Sequence, residues 1–369
     1  MSAQDDDMAQ IKGGDDANVL AQFAKAAKSV GASPVSLGLD FRKLSKGRGK
    51  LTMAEYLRYG LYDRKNWTDD ARSRFVSSAQ HWPIVDNCID RKWWAVTEDK
   101  WVSSILLEQN GLPVPKTLAI FDKGPRLYPA TERLSDAAGM EAFLKSCSGF
   151  PIFAKAVAGV GSAGALKITG CTDTQVEIAG RDPVSFATLT DDLLGAHAYI
   201  IQDCLTPHAF FDGLTDAVAT VRCLNIIDDD GLRVPHTVLK LPSAGNSADN
   251  FWRNGNMLCD VNPETGEILS LVQNDGGALK RLDAHPADGR SVVGETLPHW
   301  EAMREVNAKV ALMHASNRFA STDMALTADG PVVVEVNNGC AFELIQIATN
   351  QGLLTDDMLA FFAKNGVKL

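Results

Sequence analysis

The segment at residues 323–338 constrains the fold of this chain more than any other stretch. Two apolar runs, at 324–327 and 332–336, flank Ala328-Asp-Gly-Pro331, whose residues favour a tight turn. Apolar runs of this length on both sides of such a turn, the second rich in β-branched residues, are typical of two antiparallel strands. The sequence therefore predicts a β-hairpin here.

Three oxygen-bearing side chains meet at one end of this predicted hairpin. Glu335 and Asn337 are two residues apart in the second strand, so they project from the same face, and the turn brings Asp323 beside them. Carboxylate and amide oxygens suit Mg²⁺, a hard cation that prefers oxygen ligands and commonly shares them with nucleotide phosphates. We predict that Asp323, Glu335 and Asn337 bind a metal. The alternative is a surface hairpin with solvated acids.

The charge of the chain argues against two classes of partner. Its 369 residues include 36 Lys and Arg against 46 Asp and Glu, for a formal net charge of −10. Nucleic acids and anionic membranes recruit clustered Lys and Arg, and no long basic run occurs here. We expect no nucleic acid and no membrane as partner. The length exceeds one comfortable core and predicts two or three lobes.

The cysteines and the first residues favour the cytoplasm. Seven cysteines are scattered along the chain without a Cys-x-x-Cys pair, as expected for reduced thiols. Residues 1–8 are acidic and lack the apolar segment of a signal peptide, and no apolar run approaches membrane-spanning length. We predict a cytoplasmic protein.

Residues 1–92 have the pattern of helices. Residues 18–30 show helical spacing, and Thr52-Met-Ala-Glu55 has the spacing of a capping box. Thr68 is placed to cap a further helix, whereas the Lys- and Arg-rich segment 41–51 is interpreted as a basic turn. A strand, glycine turn and helix of the dinucleotide-binding type is not found in this region.

A glycine-rich segment follows a predicted strand at residues 150–155. Small residues let backbone N–H groups approach a phosphate, and Lys155 at the strand end could neutralise its charge. No Gly-Lys-Ser/Thr ends the segment, so a strand–loop–strand lid is a better interpretation than a P-loop. Taken alone, such a hairpin is more often structural. The loop residues predicted to face a phosphate are Gly159, Gly161, Ser162 and Gly164.

The predicted strand at 198–205 ends in polar residues. Its last residues are Gln202, Asp203, Cys204 and Leu205. In a nucleotide site, the side chains and backbone of such a strand end bond the edge of an adenine. A plain strand end is equally consistent with the pattern.

Two cationic residues interrupt the strands predicted next. Arg222 lies within the alternating segment 219–227, and Lys240 lies within the partner segment 236–242. A buried cation needs a carboxylate or another anion as its partner. We therefore predict that Arg222 and Lys240 face an anionic site.

In order and spacing, these residues resemble the ATP-grasp enzymes. The matching features are Glu98-Asp99-Lys100, Lys155 before the glycine-rich loop, Gln202-Asp203, Arg222, and Asp323 followed twelve residues later by Glu335-Val-Asn337. The segments 53–63, 219–222, 248–251 and 342–346 are similar to the sugar-transfer associated or α-L-glutamate ligase-related members of that superfamily. The resemblance covers roughly residues 40–360.

The resemblance implies an α+β ATP-grasp fold, in which two lobes grip ATP. On this basis, residues 1–92 form a helical N-terminal region, residues 93–197 the lobe with the glycine-rich lid, and residues 198–369 the lobe with the metal site. Helices replace the Rossmann-like domain that often precedes these lobes and shapes the second-substrate site. The identity of the substrate is therefore left open.

The resemblance also implies which residues bind ATP. Lys100 and Lys155 would contact its phosphates beneath a mobile lid at residues 159–164. The acid that usually binds the ribose has no obvious counterpart, and His208 or Asp212 is the expected substitute. The adenine would be bound by the strand end described above, at Gln202, Asp203, Cys204 and Leu205.

The same resemblance assigns the metal and the transfer step. Asp323, Glu335 and Asn337 would bind Mg²⁺, with Mn²⁺ as an alternative. Arg222 and Lys240 would stabilise the transferring phosphoryl group or an acyl-phosphate. Phosphoryl transfer depends on positioning and charge neutralisation, which these residues can supply.

The implied activity is that of an ATP- and Mg²⁺-dependent ligase. It would activate a carboxylate as an acyl-phosphate for attack by an amine, with release of ADP and phosphate. The expected partners are a small-molecule carboxylate and an amine, and a homodimer is left open. The alternatives are an ATP-grasp kinase that phosphorylates a small molecule and a nucleotide-binding module without turnover.

Overall fold

Two seven-stranded sheets covered by helices form the protein in a computed structural model, which describes residues 19–159, 163–243, 245–246 and 249–369. All strands of the first sheet precede those of the second along the chain. Mostly antiparallel strands with separate groups of helices confirm the predicted α+β class. Gly161 and Ser162, which were predicted to lie in the lid, fall outside the described residues.

Short helices make up the N-terminal region. The capping box predicted at Thr52 is present, because Thr52 Oγ1 accepts the Glu55 N–H at 3.2 Å and Glu55 Oε2 accepts the Thr52 N–H at 2.9 Å. Thr68 caps the next helix, as predicted. The helices of this region are α1 (Val19–Ser29), α2 (Pro34–Lys46), α3 (Met53–Arg58), α4 (Asp69–Ser73) and α5 (His81–Cys88).

The segment predicted as a basic turn is helical up to Lys46. Helix α2 begins with Pro34 in its first turn, and the Ser33 side chain accepts the Ser36 N–H as its cap. Proline fixes the backbone dihedral that a helix start requires, so this signal outweighs the weak apolar periodicity of the segment. The prediction of a turn over residues 41–46 was wrong.

The first sheet has the strand order β2-β1-β7-β3-β4-β5-β6. Strands β3 and β4 pair antiparallel, so the glycine-rich segment connects neighbouring strands as predicted for a strand–loop–strand unit. Its strands are β1 (Thr117–Phe121), β2 (Arg133–Leu134), β3 (Ile152–Ala156), β4 (Leu166–Cys171), β5 (Gln175–Ile178), β6 (Val184–Ser185) and β7 (Tyr199–Asp203). The accompanying helices are α6 (Trp94–Glu98), α7 (Lys100–Gln109), α8 (Ala137–Ser146) and α9 (Phe186–Thr188).

The second sheet has the order β12-β11-β10-β9-β8-β13-β14. Its strands are β8 (Thr220–Asp228), β9 (Gly231–Leu241), β10 (Met257–Val261), β11 (Val272–Asp275), β12 (Ala278–Arg281), β13 (Phe319–Thr327) and β14 (Gly330–Asn338). The remaining helices are α10 (Trp300–Met313), α11 (Phe342–Thr349) and α12 (Asp356–Lys364).

The hairpin predicted at residues 323–338 is confirmed as β13 and β14. Asp323 pairs directly with Glu335 across the hairpin and with Arg222 of β8 on its other side. Gly330, at the end of the turn, has a φ of 120°, which a residue with a side chain rarely adopts. The register therefore places Arg222, Asp323 and Glu335 side by side on three adjacent strands.

The N-terminal helices share one core with the second sheet. Buried residues such as Tyr56, Phe75 and Ile84 cluster with Phe319 of β13 and Phe342 of α11. The opposite face of the second sheet packs against α10, and the first sheet has its own core with α8. The helical region is thus attached to the second lobe rather than to the first.

The predicted lobe boundary between residues 197 and 198 falls just before β7. This strand pairs with β1 and β3 and lies in the middle of the first sheet. The division into lobes remains a prediction, and the sheet favours a boundary after Asp203. In the described ranges, no helix combines the length and apolar character needed to cross a membrane.

Gln346 of α11 ties the N-terminal helices to the second lobe. Its side-chain oxygen accepts the Val76 N–H at 2.8 Å and the Leu353 N–H at 3.3 Å. Its amide nitrogen donates to the Val76 carbonyl at 2.9 Å and to the Tyr59 hydroxyl at 3.2 Å. The residue is buried, so each of these backbone groups depends on it for a partner.

We expect Gln346→Ala to lower the free energy of unfolding by about 2–4 kcal/mol, because it leaves buried backbone groups without partners. Urea unfolding at fixed temperature measures this change. The matched control is Gln351→Ala, since Gln351 is exposed in the loop just after the same helix, and it should change stability by less than about 0.5 kcal/mol. Equal effects of the two variants would show that the Gln346 contacts do not hold the regions together.

Candidate active site

A cleft of about 1190 Å³ lies between the two sheets and beneath the N-terminal helices. The first lobe contributes β3, the start of β4 and the end of β7, and the second lobe contributes polar residues from β8, β9, β13 and β14. Both sheets expose the predicted polar positions toward this space. The predicted site residues that line it are Lys100, Lys155, Gly159, Gln202, Asp203, Cys204, Leu205, Arg222, Lys240, Asp323, Glu335 and Asn337.

A buried ionic cluster forms the floor of the cleft. Arg222 Nε and Nη2 each donate to one oxygen of Asp323 at 2.6 Å, a two-point pairing that matches the planar guanidinium to the carboxylate. Lys240 Nζ lies 2.9 Å from Asp323 Oδ2 and 2.7 Å from Asp249 Oδ2. The Thr220 hydroxyl donates to the same Asp249 oxygen. The predicted anionic partner of Arg222 and Lys240 is therefore a pair of aspartates.

The electrostatics of this cluster keep Asp323 and Lys240 charged. Burial alone would raise the pKa of Asp323, but the charges of Arg222 and Lys240 outweigh it and hold that pKa well below its usual range. Burial would likewise lower the pKa of Lys240, and Asp249 and Asp323 raise it above its usual value instead. The cluster therefore presents fixed charges to the cleft.

Two further lysines reach the cleft from the first lobe. Lys100 begins α7, which Asp99 caps, and its Nζ lies 2.7 Å from the Gly159 carbonyl and 3.0 Å from Glu335 Oε1. Lys155 at the end of β3 donates to the Val334 carbonyl at 3.1 Å. Both lysines thus bridge the two lobes.

Burial lowers the pKa of Lys155 to about 8. The neighbouring Glu335 opposes this shift and Lys100 reinforces it. Burial destabilises the charged form of Lys155, and no carboxylate of the described residues contacts it directly. An anion nearby would therefore stabilise its protonated form.

Glu335 and Asn337 fit the donor set of a divalent cation. Both line the cleft and both offer oxygen atoms. The buried amide nitrogen of Asn337 has no hydrogen-bond partner in the described part of the chain, so no bond to that nitrogen fixes the amide and its oxygen can turn toward a cation. Asp323 differs, because its two oxygens already accept three hydrogen bonds from Arg222 and Lys240. No cluster of three or more His, Cys, Asp or Glu ligands occurs among the described residues, so any cation here needs the Asn337 oxygen or the ligand's own oxygens.

The neighbouring Asn338 is structural. Its side-chain oxygen accepts hydrogen bonds from Thr97 at 2.9 Å and Asn317 at 2.8 Å, and its nitrogen donates to Glu98 at 2.9 Å. These bonds attach the end of β14 to the last turn of α6. This turn lies just before Lys100, the first residue of α7.

The end of β7 forms the opposite part of the cleft. Gln202 is buried and donates its side-chain amide to the Pro115 carbonyl at 3.2 Å, so that donor is engaged within the protein. The chain leaves the sheet after Asp203, and Cys204 and Leu205 line the cleft, as do Leu166 and Ile178. A flat apolar base edged by backbone groups fits this position.

Two of the predicted nucleotide residues lie away from the lining. Gly164 has a φ of 72° and accepts a hydrogen bond from the Tyr199 hydroxyl at 3.2 Å, which secures the base of the lid. His208 caps a short turn, where its Nδ1 accepts the Phe210 N–H at 2.9 Å. Its ring packs against His299 and gives no support to the predicted ribose contact.

Sequence reasoning missed several residues that line the cleft. Asp216 precedes β8, and no local pattern distinguishes it from other loop acids. His81 and Trp82 come from a helix that the sequence did not indicate. Glu343 lies in the segment 342–346, which carried part of the family resemblance and could have been examined as a site residue.

We expect Asp323→Asn to lower the free energy of unfolding by about 3–5 kcal/mol, because it leaves Arg222 and Lys240 buried with less than their compensating charge. Urea unfolding near neutral pH measures the change. The matched control is Glu141→Gln, which breaks an exposed pair with Lys145 one helical turn away and should cost less than about 0.5 kcal/mol. A loss as small as that of the control would contradict the central position of the cluster.

Comparison with solved structures finds distant likenesses. The VanG D-Ala:D-Ser ligase of Enterococcus faecalis is 14% identical with a TM-score of 0.39, over 73% of this chain and 62% of that chain. The D-alanine–D-alanine ligase of Bacillus anthracis is 14% identical with a TM-score of 0.36, over 73% and 67% of the two chains. An N5-carboxyaminoimidazole ribonucleotide synthetase is 12% identical with a TM-score of 0.38, over 67% and 46%. Likenesses of this size say nothing about the substrate of this chain.

The family comparison is decisive. A search of curated proteins gave no match. The family described as sugar-transfer associated ATP-grasp matches residues 85–359, which include both sheets and the cleft between them. The match covers most of the chain, and this protein belongs to the sugar-transfer associated ATP-grasp family.

Proposed function

We propose that the protein is an ATP- and Mg²⁺-dependent ligase that activates a carboxylate as an acyl-phosphate and joins it to an amine. The observation that carries this proposal is the convergence of four cationic side chains on one cleft that also contains Glu335 and Asn337. The four cations are Lys100, Lys155, Arg222 and Lys240. Such a set can neutralise a triphosphate and the charge that develops as its terminal phosphoryl group moves.

In this proposal the nucleotide lies along the cleft with its base near the end of β7. The base lies near Leu166 and Ile178 and meets the backbone at Cys204 and Leu205. Its phosphates extend toward Lys155 and Lys100. The two lysines lie on either side of Glu335, one in direct contact with it and one bonded to the preceding carbonyl.

The proposed reaction has two steps. A substrate carboxylate oxygen bonds to the γ-phosphorus while the bond from that phosphorus to the β,γ-bridging oxygen breaks, and ADP leaves. An amine then attacks the acyl carbon, the bond from that carbon to the phosphate oxygen breaks, and the proton lost by the nitrogen ends on the released phosphate. Arg222 and Lys240 hold positive charge beside the transferring group throughout, because Asp323 and Asp249 keep them protonated and in place.

Glu335 and Asn337 are the residues that would hold Mg²⁺. The cation, when bound, neutralises phosphate charge and orients the phosphate oxygens. Asp323 supports this site by anchoring Arg222 and Lys240, although its remaining lone pair could still reach a cation. We also propose a reducing compartment, the cytoplasm, for this reaction, which is consistent with seven free cysteines within the described residues.

Product analysis tests the reaction type. The protein is incubated with ATP, Mg²⁺, hydroxylamine and a panel of amino acids and sugar acids, and ADP is separated from AMP. We expect acid-dependent ADP and phosphate together with a hydroxamate, because hydroxylamine traps an acyl-phosphate. ADP with a stable phosphorylated product and no hydroxamate would show a kinase instead. AMP with pyrophosphate would contradict the mechanism.

We expect Glu335→Gln to reduce kcat for ATP turnover by about 100-fold or more, because it removes the negatively charged ligand of the cation while keeping the shape of the side chain. Unfolding by urea should show that the variant remains folded. Glu305→Gln, an exposed acid on α10, is the control and should retain full turnover. Full turnover in Glu335→Gln would rule out the metal assignment.

A further inference from the structure

The cleft extends beyond the ionic cluster into an end that the proposed ATP chemistry does not use. This part is lined by His81 and Trp82 of α5, by Trp252 in the loop between β9 and β10, and by Glu343 of α11. We call these four residues the aromatic end. It is built partly by the N-terminal helical region, through α5.

Trp82 presents an aromatic surface to this end. One face of its ring stacks on Trp94 with centroids 4.9 Å apart and an angle of 18°, and His81 contacts its edge at 4.7 Å. Even so, Trp82 is 44% exposed. A large side chain that is held on one face and exposed in a cleft is characteristic of a ligand-binding surface.

The aromatic end borders the proposed metal ligands. Gly339, two residues after Asn337, packs so closely on α5 that a Cβ there would lie 2.4 Å from Val85 and 2.8 Å from His81 Nε2. The Phe342 ring contacts the His81 ring at 5.4 Å. Helix α5 is thus pressed against the chain that follows β14, which places the aromatic end next to the site of phosphoryl transfer.

Glu343 is the acidic group of this end. It lies in the first turn of α11, where its carboxylate accepts a hydrogen bond from its own backbone N–H. Burial raises its pKa, this hydrogen bond and the charges of Arg58 and Arg222 oppose the shift, and the nearby Glu55 adds to it. Within the described residues no basic side chain forms an ion pair with this carboxylate, which lines the cleft, so it can pair with a cationic ligand.

The other charged groups around Glu343 are already engaged. Arg222 is paired with Asp323 through two hydrogen bonds. Glu55 accepts hydrogen bonds from Thr52 and Ser78. Burial and the charge of Arg222 lower the pKa of His81 to about 4, so this ring is neutral near pH 7. Arg58 lies over the Trp252 ring, 4.6 Å from its centroid. Glu343 is therefore the acid of this end that can pair with a ligand's positive charge.

We propose that the aromatic end binds the second substrate, and that this substrate is a primary amine carried on a ring. The ring packs on the exposed face of Trp82, and the ammonium group pairs with Glu343. A flat aromatic face favours a ring over a flexible chain, because the ring loses less conformational freedom for the same contact area. This inference rests on the proposed function, which requires an amine next to the activated carboxylate.

Calorimetric titration tests the inference without knowledge of the carboxylate substrate. The full chain is saturated with Mg²⁺ and the non-hydrolysable ATP analogue AMPPCP, and is then titrated with glucosamine, benzylamine or n-hexylamine. We expect at least one of the two ring amines to bind tenfold or more tightly than n-hexylamine. Preference for glucosamine would indicate a sugar ring, and preference for benzylamine an aromatic ring.

Two variants test the residues. Trp82→Ala and Glu343→Gln should each weaken binding of the preferred ring amine by tenfold or more and leave the affinity for AMPPCP within about twofold, which also shows that the variants are folded. Glu301→Gln is the matched control, because Glu301 lies in the first turn of α10 and is exposed. It should change neither affinity.

Three results would contradict the inference or the proposed function. Binding of AMPPCP without preference for a ring amine would overturn the inference and leave the proposed function standing. Equal loss of AMPPCP and amine binding in both variants would show a purely structural role and would also overturn it. If native protein does not bind AMPPCP, the proposed function fails, and the inference that rests on it fails as well.

Discussion

The pairing of Arg222 with Asp323 is the interaction on which the rest of the site depends. Strand register places the two residues opposite each other in the second sheet, and Lys240 joins them from the strand beyond. Separating two buried charges costs more than any single apolar contact in this region can offset. The cluster therefore fixes the register of β8, β9 and β13, and with it the position of Glu335 directly across the hairpin.

The local charge around Lys155 is the feature of the cleft that favours an anionic ligand. The lining as a whole has seven basic and seven acidic side chains, so it carries no excess of positive charge. The pKa of Lys155 is lowered to about 8, because burial outweighs the charge of the neighbouring Glu335. A phosphate group beside Lys155 would supply the negative charge that stabilises its protonated form.

Local sequence patterns predicted the secondary-structure elements. The partners of their side chains depend on contacts between residues far apart in sequence. The hairpin, the capping box at Thr52 and the polar strand end were readable, because each depends on residues close in sequence. The partner of Arg222 lies 101 positions away and that of Val76 lies 270 positions away, distances over which periodicity carries no information. Asp323 could be identified as an acid of the site, but its hydrogen bonds from Arg222 and Lys240 could not be predicted. The aromatic end was missed because it requires α5 to pack against α11.

A crystal structure with AMPPNP and Mg²⁺ tests the central claim most directly. The account requires the base at Cys204 and Leu205, the phosphates between Lys100 and Lys155, and oxygens of Glu335 and Asn337 at about 2.0–2.1 Å from the cation. Asp323 should keep its hydrogen bonds to Arg222. A nucleotide bound outside this cleft, or a cation held without Glu335 and Asn337, would contradict the account.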